Sequence, residues 1–379
     1  MDFSLNEEQR MLAELVDRFV EKDYSFEARK ASLRQAEGFS REQWRTLAAT
    51  GLLGVNIPEA YGGMGGSPTD ALVVMERFGS GLVVEPFVQN AVVAARLLAA
   101  NGSESQKNRF FPALLAGETL FALACVERSG GFDMWHAQSR AVPDAAGGWD
   151  LSGTKSVVPY GDSADILVVP ARTSGAPDDR HGISLFLVPR AAAGIEVQAF
   201  PSFDGQRVAE VRFTGVKLTR DALLGPEGEG YPALELGVDH GIAALCAEAV
   251  GAMQKLLELT TDYLRTRRQF GKPIGSFQAL QHRAAGMVIC LEQARAAAFM
   301  AAAGVEEPDA ATRRRTVSAA KVLVGRCGRE SGEAATQLHG GMGMTDEMMS
   351  GHYFKRLVGI DKTWGDSEHH VELYASLVT

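Results

Sequence analysis

The chain has 379 residues, 46% of them apolar, and a formal net charge of −9. That length is enough for two or three domains with sizeable cores. The acidic balance argues against nucleic acid as the main partner.

The first third reads as helix. Ser4 and Glu7 have the S-x-x-E spacing of a capping box, followed by an apolar stripe of Met11, Leu12, Leu15, Val16, Phe19 and Val20. Ser40 and Gln43 repeat the device before Trp44 and Leu47. Ser67-Pro68 reads as the cap and first turn of a third helix. Ser103 and Gln106 open a fourth after a stop at Asn101-Gly102. Near Leu120 the texture changes. Phe121–Val126, Ile166–Pro170, Ile183–Val188 and Ala209–Leu218 are short apolar or alternating runs separated by turn-rich stretches, which predicts a small β-domain or barrel. From Tyr231 helical periodicity returns in three long segments, to Arg265, from Phe277 to Ala303 and from Asp309 to His339. Small residues are frequent in them, as close helix packing in a bundle requires. Arg313-Arg314-Arg315 reads as a solvated helix start.

Four cysteines, Cys125, Cys246, Cys290 and Cys327, stand far apart with no CxxC pair and no metal-ligand spacing. They read as small buried hydrophobes in a reducing compartment. His369 and His370 lack a carboxylate or thiol at ligand spacing, so a solvated helix is expected there and no metal. The opening Met1-Asp2-Phe3-Ser4 has no basic n-region and no apolar h-region. Glu248 interrupts the apolar stretch Ala243–Met253, so no membrane span is expected. These features together predict a soluble, cytoplasmic protein.

Two segments carry most of the functional information. Arg267-Arg268-Gln269-Phe270-Gly271-Lys272-Pro273-Ile274 combines a guanidinium and an amide donor, and Gln337-Leu338-His339-Gly340-Gly341-Met342-Gly343 combines an amide with a glycine run. Such donors suit phosphate, and glycines let backbone N–H groups approach it. Taken alone, Arg267 would read as a helix-end cation and Gly340-Gly341 as a bare C-cap. Both segments resemble the flavin-binding signatures of the acyl-CoA dehydrogenase family. Pro58-Glu59-Ala60-Tyr61-Gly62-Gly63-Met64-Gly65-Gly66 resembles a loop of that family's N-terminal helices. Leu151-Ser152-Gly153-Thr154-Lys155 with Gly161-Asp162-Ser163-Ala164-Asp165 resembles its first β-domain hairpin. The four stretches occur in the family's order, and the resemblance covers the whole chain.

The resemblance implies an α+β, mainly α fold. An N-terminal α-helical domain (1–118), a middle β-barrel domain (119–224) and a C-terminal four-helix bundle (225–379) are expected. It implies FAD as cofactor, with the adenosine–pyrophosphate end gripped by Arg267, Gln269, Phe270, Ile274, Gln278, Gln337, Gly340 and Gly341 of one subunit and the ring held by its neighbour. It implies an acyl-CoA substrate and electron-transfer flavoprotein as acceptor. The partner would be a second acyl-CoA dehydrogenase subunit, or a copy of the chain in a dimer or tetramer. The chain also resembles the small subunit of pimeloyl-CoA dehydrogenases, a subgroup that works with a larger second subunit.

Such chemistry needs a carboxylate at the substrate α-carbon, donors to the thioester carbonyl and a polar pocket for the flavin ring. Here the chain departs from the family. The ring loop, T-E-P-x-A-G-S-D in the family, is Val126-Glu127-Arg128-Ser129-Gly130-Gly131-Phe132-Asp133. Only the acidic position, Glu127, and the Gly131 and Asp133 positions persist. The W-I-T stretch is Val157-Val158-Pro159, with no flat ring and no hydroxyl. An apolar plug of Phe132, Val126, Val157 and Pro159 is expected in its place. The two family positions for the catalytic glutamate hold Trp364 and Gly241. The nearby carboxylates are Asp366 and Asp239, weak candidates for a displaced base, so no catalytic residue is assigned.

Three functions are open at this point. The chain is the half-site subunit of a hetero-oligomeric dehydrogenase, or a self-sufficient homo-oligomer with a displaced base, or a flavin-free scaffold that keeps the fold. Loss confined to the ring and base positions, with the adenosine end intact, favours the first.

Overall fold

A computed structural model of the chain describes residues 5–378. Helices α1 (Glu7–Asp23), α2 (Phe26–Leu33), α3 (Arg41–Ala49) and α4 (Pro68–Gly81) come first. A π-helical stretch, Val88–Ala94, then runs into α5 (Ala95–Asn101), and α6 (Glu104–Leu115) follows. The strands are β1 (Phe121–Leu123), β2 (Arg140–Pro143), β3 (Trp149–Pro159), β4 (Ile166–Arg172), β5 (Ile183–Pro189), β6 (Ile195–Pro201), β7 (Arg207–Leu218) and β8 (Leu223–Leu224). The C-terminal part contains α7 (Gly230–Thr266), β9 (Arg268–Gln269), β10 (Lys272–Pro273), α8 (Gln278–Gly304), α9 (Ala310–His339), α10 (Met349–Lys362) and α11 (Ser367–Ser376).

The caps follow local chemistry. Ser103 and Gln106 form the expected reciprocal box, and Ser40 accepts from the Gln43 amide. The first helix is capped differently. Asn6 and Gln9 form the box, Glu7 is the first helical residue, and Ser4 lies outside the described residues. Its buried face is Ala13, Val16 and Phe19, while Met11 is 66% exposed. Helices α2 and α10, the π-helical stretch, β8, the β9–β10 pair, β2 and β6 are additions to the sequence reading. The last is an edge strand whose side chains are mostly exposed, so no apolar run announces it.

Contacts gather the chain into two compact units, each discontinuous in sequence. One comprises Ser32–Ser67 and Val84–Gly241. Its sheet runs β6-β7-β3-β2-β4-β5-β8, with β1 added in parallel to β4. The core between its strands includes Leu151, Phe186, Val211 and Phe213, with Trp149 set edge-on to Phe186 at 5.3 Å. The register of β3 against β7 slips between Lys155 and Val158, a bulge that leaves Val157 at φ 51. A β-branched residue at positive φ is a true outlier.

The other unit holds the chain up to Ala31, Pro68–Val83 and the chain from Ile242. Here α4 and α7 meet backbone to backbone: a Cβ on Gly79 would lie 1.9 Å from the Glu248 carbonyl oxygen, and one on Gly251 1.6 Å from that of Glu76. Glu248, the charge inside an apolar run, is buried and takes both Arg356 Nε (2.5 Å) and Nη2 (2.7 Å). Two helices are in fact long and apolar enough to cross a membrane by length and composition. The apolar window of α7 is 94% buried inside the fold, and that of α8 is 39% buried. Arg313 and Arg314 are not solvated but buried near the start of α9. All four cysteines are free and buried.

Candidate functional site

The expected adenosine-end residues cluster at one end of the helical bundle. Where α7 stops at Thr266, the chain makes a two-residue hairpin, pairing Gln269 with Lys272 and Arg268 with Pro273. Its tip is Phe270 at φ 54 and Gly271 at φ 80. The Ile274 amide donates to the Arg267 carbonyl at 2.9 Å, closing the hairpin on Arg267. Phe270 is 89% exposed, the most open large apolar side chain among the described residues. It meets Phe277 edge-on at 6.0 Å, and Lys272 Nζ lies 4.4 Å from the Phe277 ring centre. Gln278 opens α8 just beyond.

The second segment ends α9. Gln337 is exposed on the last turn, and Gly340 leaves the helix at φ 59, ψ −140, a region open to glycine. A Cβ on Gly340 or Gly341 would meet nothing within 4 Å, so these glycines leave an open approach instead of serving packing. Tyr263 stacks on His339 at 4.7 Å, which ties the end of α7 to the end of α9. Burial holds the His339 imidazole below its usual pKa, and its Nδ1 donates to the Ala335 carbonyl. A cleft of about 640 Å³ between α8 and α9 is lined by His282, Arg283, Gly286, Met287, Glu330 and Gln337, among others. Arg267, Gln269, Gln278 and Gln337 are therefore exposed donors at one end of one unit. Their chemistry fits a pyrophosphate.

The ring-end positions, in the other unit, do not fit a flavin ring in the same way. The Val126 carbonyl accepts from Ser156, fixing the loop to β3. Glu127 is a buried anchor. Its carboxylate accepts from the Gln138 amide (2.8 Å), the Ser139 amide (3.1 Å) and Lys155 Nζ (2.6 Å). Burial raises its pKa, but Lys155 and these donors outweigh burial and hold it ionised. Arg128, where the family has proline, reaches outward to Glu210 at 2.6 Å. Phe132 and Pro159 are half-buried, and Val157 is 55% exposed. The expected plug is thus corrected: the bulge turns Val157 outward instead of burying it with Phe132.

Neither family position for the base carries a carboxylate. Gly241 is buried within α7. Trp364 is 7% exposed at φ 55. The displaced candidates are engaged elsewhere. Asp239 is fully buried. Asp366 caps α11 by accepting from the His369 amide at 3.0 Å and pairs with Lys362 at 2.6 Å. Burial raises the Asp366 pKa, but those bonds win and lower it, making it a weaker proton acceptor.

Sequence reasoning missed what holds this turn. Lys321 is fully buried on α9, and the three N–H groups of its Nζ are shared among four carbonyls, those of Ile360 (2.6 Å), Asp361, Thr363 and Gly365 (3.0 Å each). Burial pushes its pKa down to about 8. The only signal was a lysine on the apolar face of α9, beside Ala320 and Val324. His370 is also buried, not solvated; its neighbours are Ser318 and Trp364. Among the described residues no group of three or more His, Cys, Asp or Glu side chains is placed to hold a metal.

The chain matches the acyl-CoA dehydrogenase N-terminal domain over residues 6–118, the middle domain over 122–216 and the C-terminal domain over 228–377. It is 29% identical to L-prolyl-[peptidyl-carrier protein] dehydrogenase of Pseudomonas fluorescens, over 99% of both chains. It is 30% identical to mitochondrial isovaleryl-CoA dehydrogenase of Pongo abelii, over 80% of this chain and 73% of that protein. Its fold superposes on a chain of the ChsE4–ChsE5 complex from Mycobacterium tuberculosis with a TM-score of 0.90 and 26% identity, covering 100% of this chain and 99% of that one. The chain belongs to the acyl-CoA dehydrogenase family.

Proposed function

We propose that this chain is the half-site subunit of a hetero-oligomeric, FAD-dependent acyl-CoA dehydrogenase. One observation carries the reading. Arg267, Gln269, Gln278 and Gln337 present exposed donors beside open glycines at 340 and 341, whereas the ring loop and both base positions lack the family's hydroxyls and carboxylate. Drift after loss of function would erode both ends alike.

FAD, when bound, accepts the substrate's β-hydrogen as hydride. In this reading Arg267 and the glutamine amides hold its pyrophosphate region, and Phe270 and Ile274 cover the adenosine end. The partner subunit supplies the ring pocket and the carboxylate that removes the α-proton. Helix α8 supports an assembly. Among its polar side chains, Val288, Ile289 and Met300 are 44%, 59% and 45% exposed. Likeness to a chain of a two-protein complex supports an unlike partner. The substrate is an acyl thioester, and likeness to a carrier-protein dehydrogenase adds carrier-bound thioesters to those worth assaying. Electron-transfer flavoprotein is the acceptor that family membership suggests.

The test is a flavin count on the purified chain, alone and co-purified with a larger dehydrogenase subunit encoded beside it. One FAD per pair of unlike chains, and a colourless chain alone, supports the reading. A yellow, active chain alone would establish the homo-oligomer. Absence of flavin in every combination would leave a scaffold.

A further inference from the structure

We propose that Ser129, His136 and Asp178 form a serine-nucleophile site able to hydrolyse acyl thioesters, an activity independent of flavin and of the half-site reading. His136 Nε2 lies 3.0 Å from Ser129 Oγ, and His136 Nδ1 lies 2.5 Å from Asp178 Oδ1. A hydroxyl, a base on it and a carboxylate orienting the base make up the signature of an activated serine, recognised by geometry and not by order in the chain.

The arrangement is built, not incidental. Successive turns, Gly130 amide to Glu127, Asp133 amide to Gly130 and His136 amide to Asp133, fold the loop so that His136 returns over Ser129. A Cβ at Gly130 would sit 3.0 Å from the His136 Cβ, so a glycine there lets the imidazole approach. Arg172 then fixes His136 against Asp178. It is 1% exposed and donates to the carbonyls on both sides of His136, Trp135 (3.1 Å) and Ala137 (3.2 Å). It also donates to those on both sides of Asp178, Pro177 (3.0 Å) and Asp179 (2.7 Å). One buried guanidinium thus holds the base and its orienting group from two different loops.

Ser129 is exposed and reachable. The Gly130 amide is taken by the Glu127 carbonyl, and Gly131, at φ 57 with nothing within 4 Å of a Cβ built on it, leaves the approach to the loop unobstructed. Ser129 Oγ attacks the thioester carbonyl carbon, its proton passes to His136 Nε2, and the C–S bond breaks as the thiolate takes that proton. Water then attacks the serine ester, its proton passing through His136 back to Oγ. The products are a carboxylic acid and a thiol, with no redox change. Asp178 is 78% exposed, which places the acceleration at the low end for general-base catalysis, about 10²-fold.

The full chain is treated with a fluorophosphonate probe and mapped by peptide mass, and hydrolysis of S-acetyl-N-acetylcysteamine is followed by released thiol. The expected result is an adduct on Ser129, and thiol release that falls about 100-fold in Ser129→Ala and in His136→Ala. Arg172→Met should lower the rate and be partly rescued by Arg172→Lys, a readout separate from loss of fold. An unlabelled Ser129 in a folded wild-type chain, or thiol release unchanged in Ser129→Ala, would overturn the site.

Discussion

His370 donates from Nε2 to the carbonyl of Trp364 at 3.1 Å, and its Nδ1 accepts from the Ser318 hydroxyl at 3.1 Å. Both nitrogens are engaged in the neutral ring, so one tautomer is set by its neighbours. Burial first, then Lys321, His369 and Arg314, push its pKa down from 6.5 to about 2. The folded value lies below the unfolded one, so the contribution is complete above pH 6.5 and is lost as pH falls. Stability should drop by about 1.4 kcal/mol per pH unit below the unfolded pKa of 6.5. Urea unfolding between pH 7 and pH 5 measures it, and His370→Gln should flatten that slope. An equal slope in the variant would assign the acid sensitivity elsewhere.

Lys321→Met removes the one ammonium that serves four carbonyls around Trp364. Buried acceptors left unpaired make this costly, on the order of 3 kcal/mol. Denaturant midpoints should move accordingly, with hydrogen exchange rising first at residues 360–366. A shift under about 0.5 kcal/mol would show the turn to be self-supporting.

Arg267→Ala combined with Gln337→Ala removes one charged and one neutral donor from the proposed pyrophosphate site. FAD affinity in the assembled enzyme should fall by about 2–4 kcal/mol. Both side chains are exposed, so thermal stability of the isolated chain should hardly change. Unchanged FAD retention after dialysis would remove these residues from the site.

Phe270→Gly takes away an 89% exposed ring and relieves a positive φ of 54°. The isolated chain should keep its stability within about 1 kcal/mol, while association with the flavin-bearing partner weakens. Analytical ultracentrifugation reads the second effect directly. Unweakened association would mean that the ring faces solvent in the assembly too.

The chain alone should oxidise acyl-CoA at background rates, because Trp364 and Gly241 cannot take a carbon-bound proton. Loss of a general base typically costs about 10²–10⁴-fold. Robust turnover abolished by Asp366→Asn would instead identify a displaced base, against its present use as the cap of α11.

Much was legible in the sequence because it depends on neighbours close along the chain. The Ser103–Gln106 box, the three long helices from Tyr231 and the buried strand runs at β4 and β5 are periodic or local signals. The Arg267–Ile274 segment and the glycines at 340 and 341 were readable as motifs, because their chemistry lies in residue type and spacing, but not the hairpin that the segment forms. Tertiary structure decided the rest. It buried His370, Arg313 and Arg314, which look solvated in sequence, and it set Lys321 among four carbonyls some 40 positions away. It turned Val157 outward through a bulge against β7. It joined Ser129, His136 and Asp178 through Arg172, residues whose separations of 7 and 42 positions match no local period. Side-chain burial and long-range hydrogen bonds depend on what the fold brings alongside, and periodicity within one element carries no record of that.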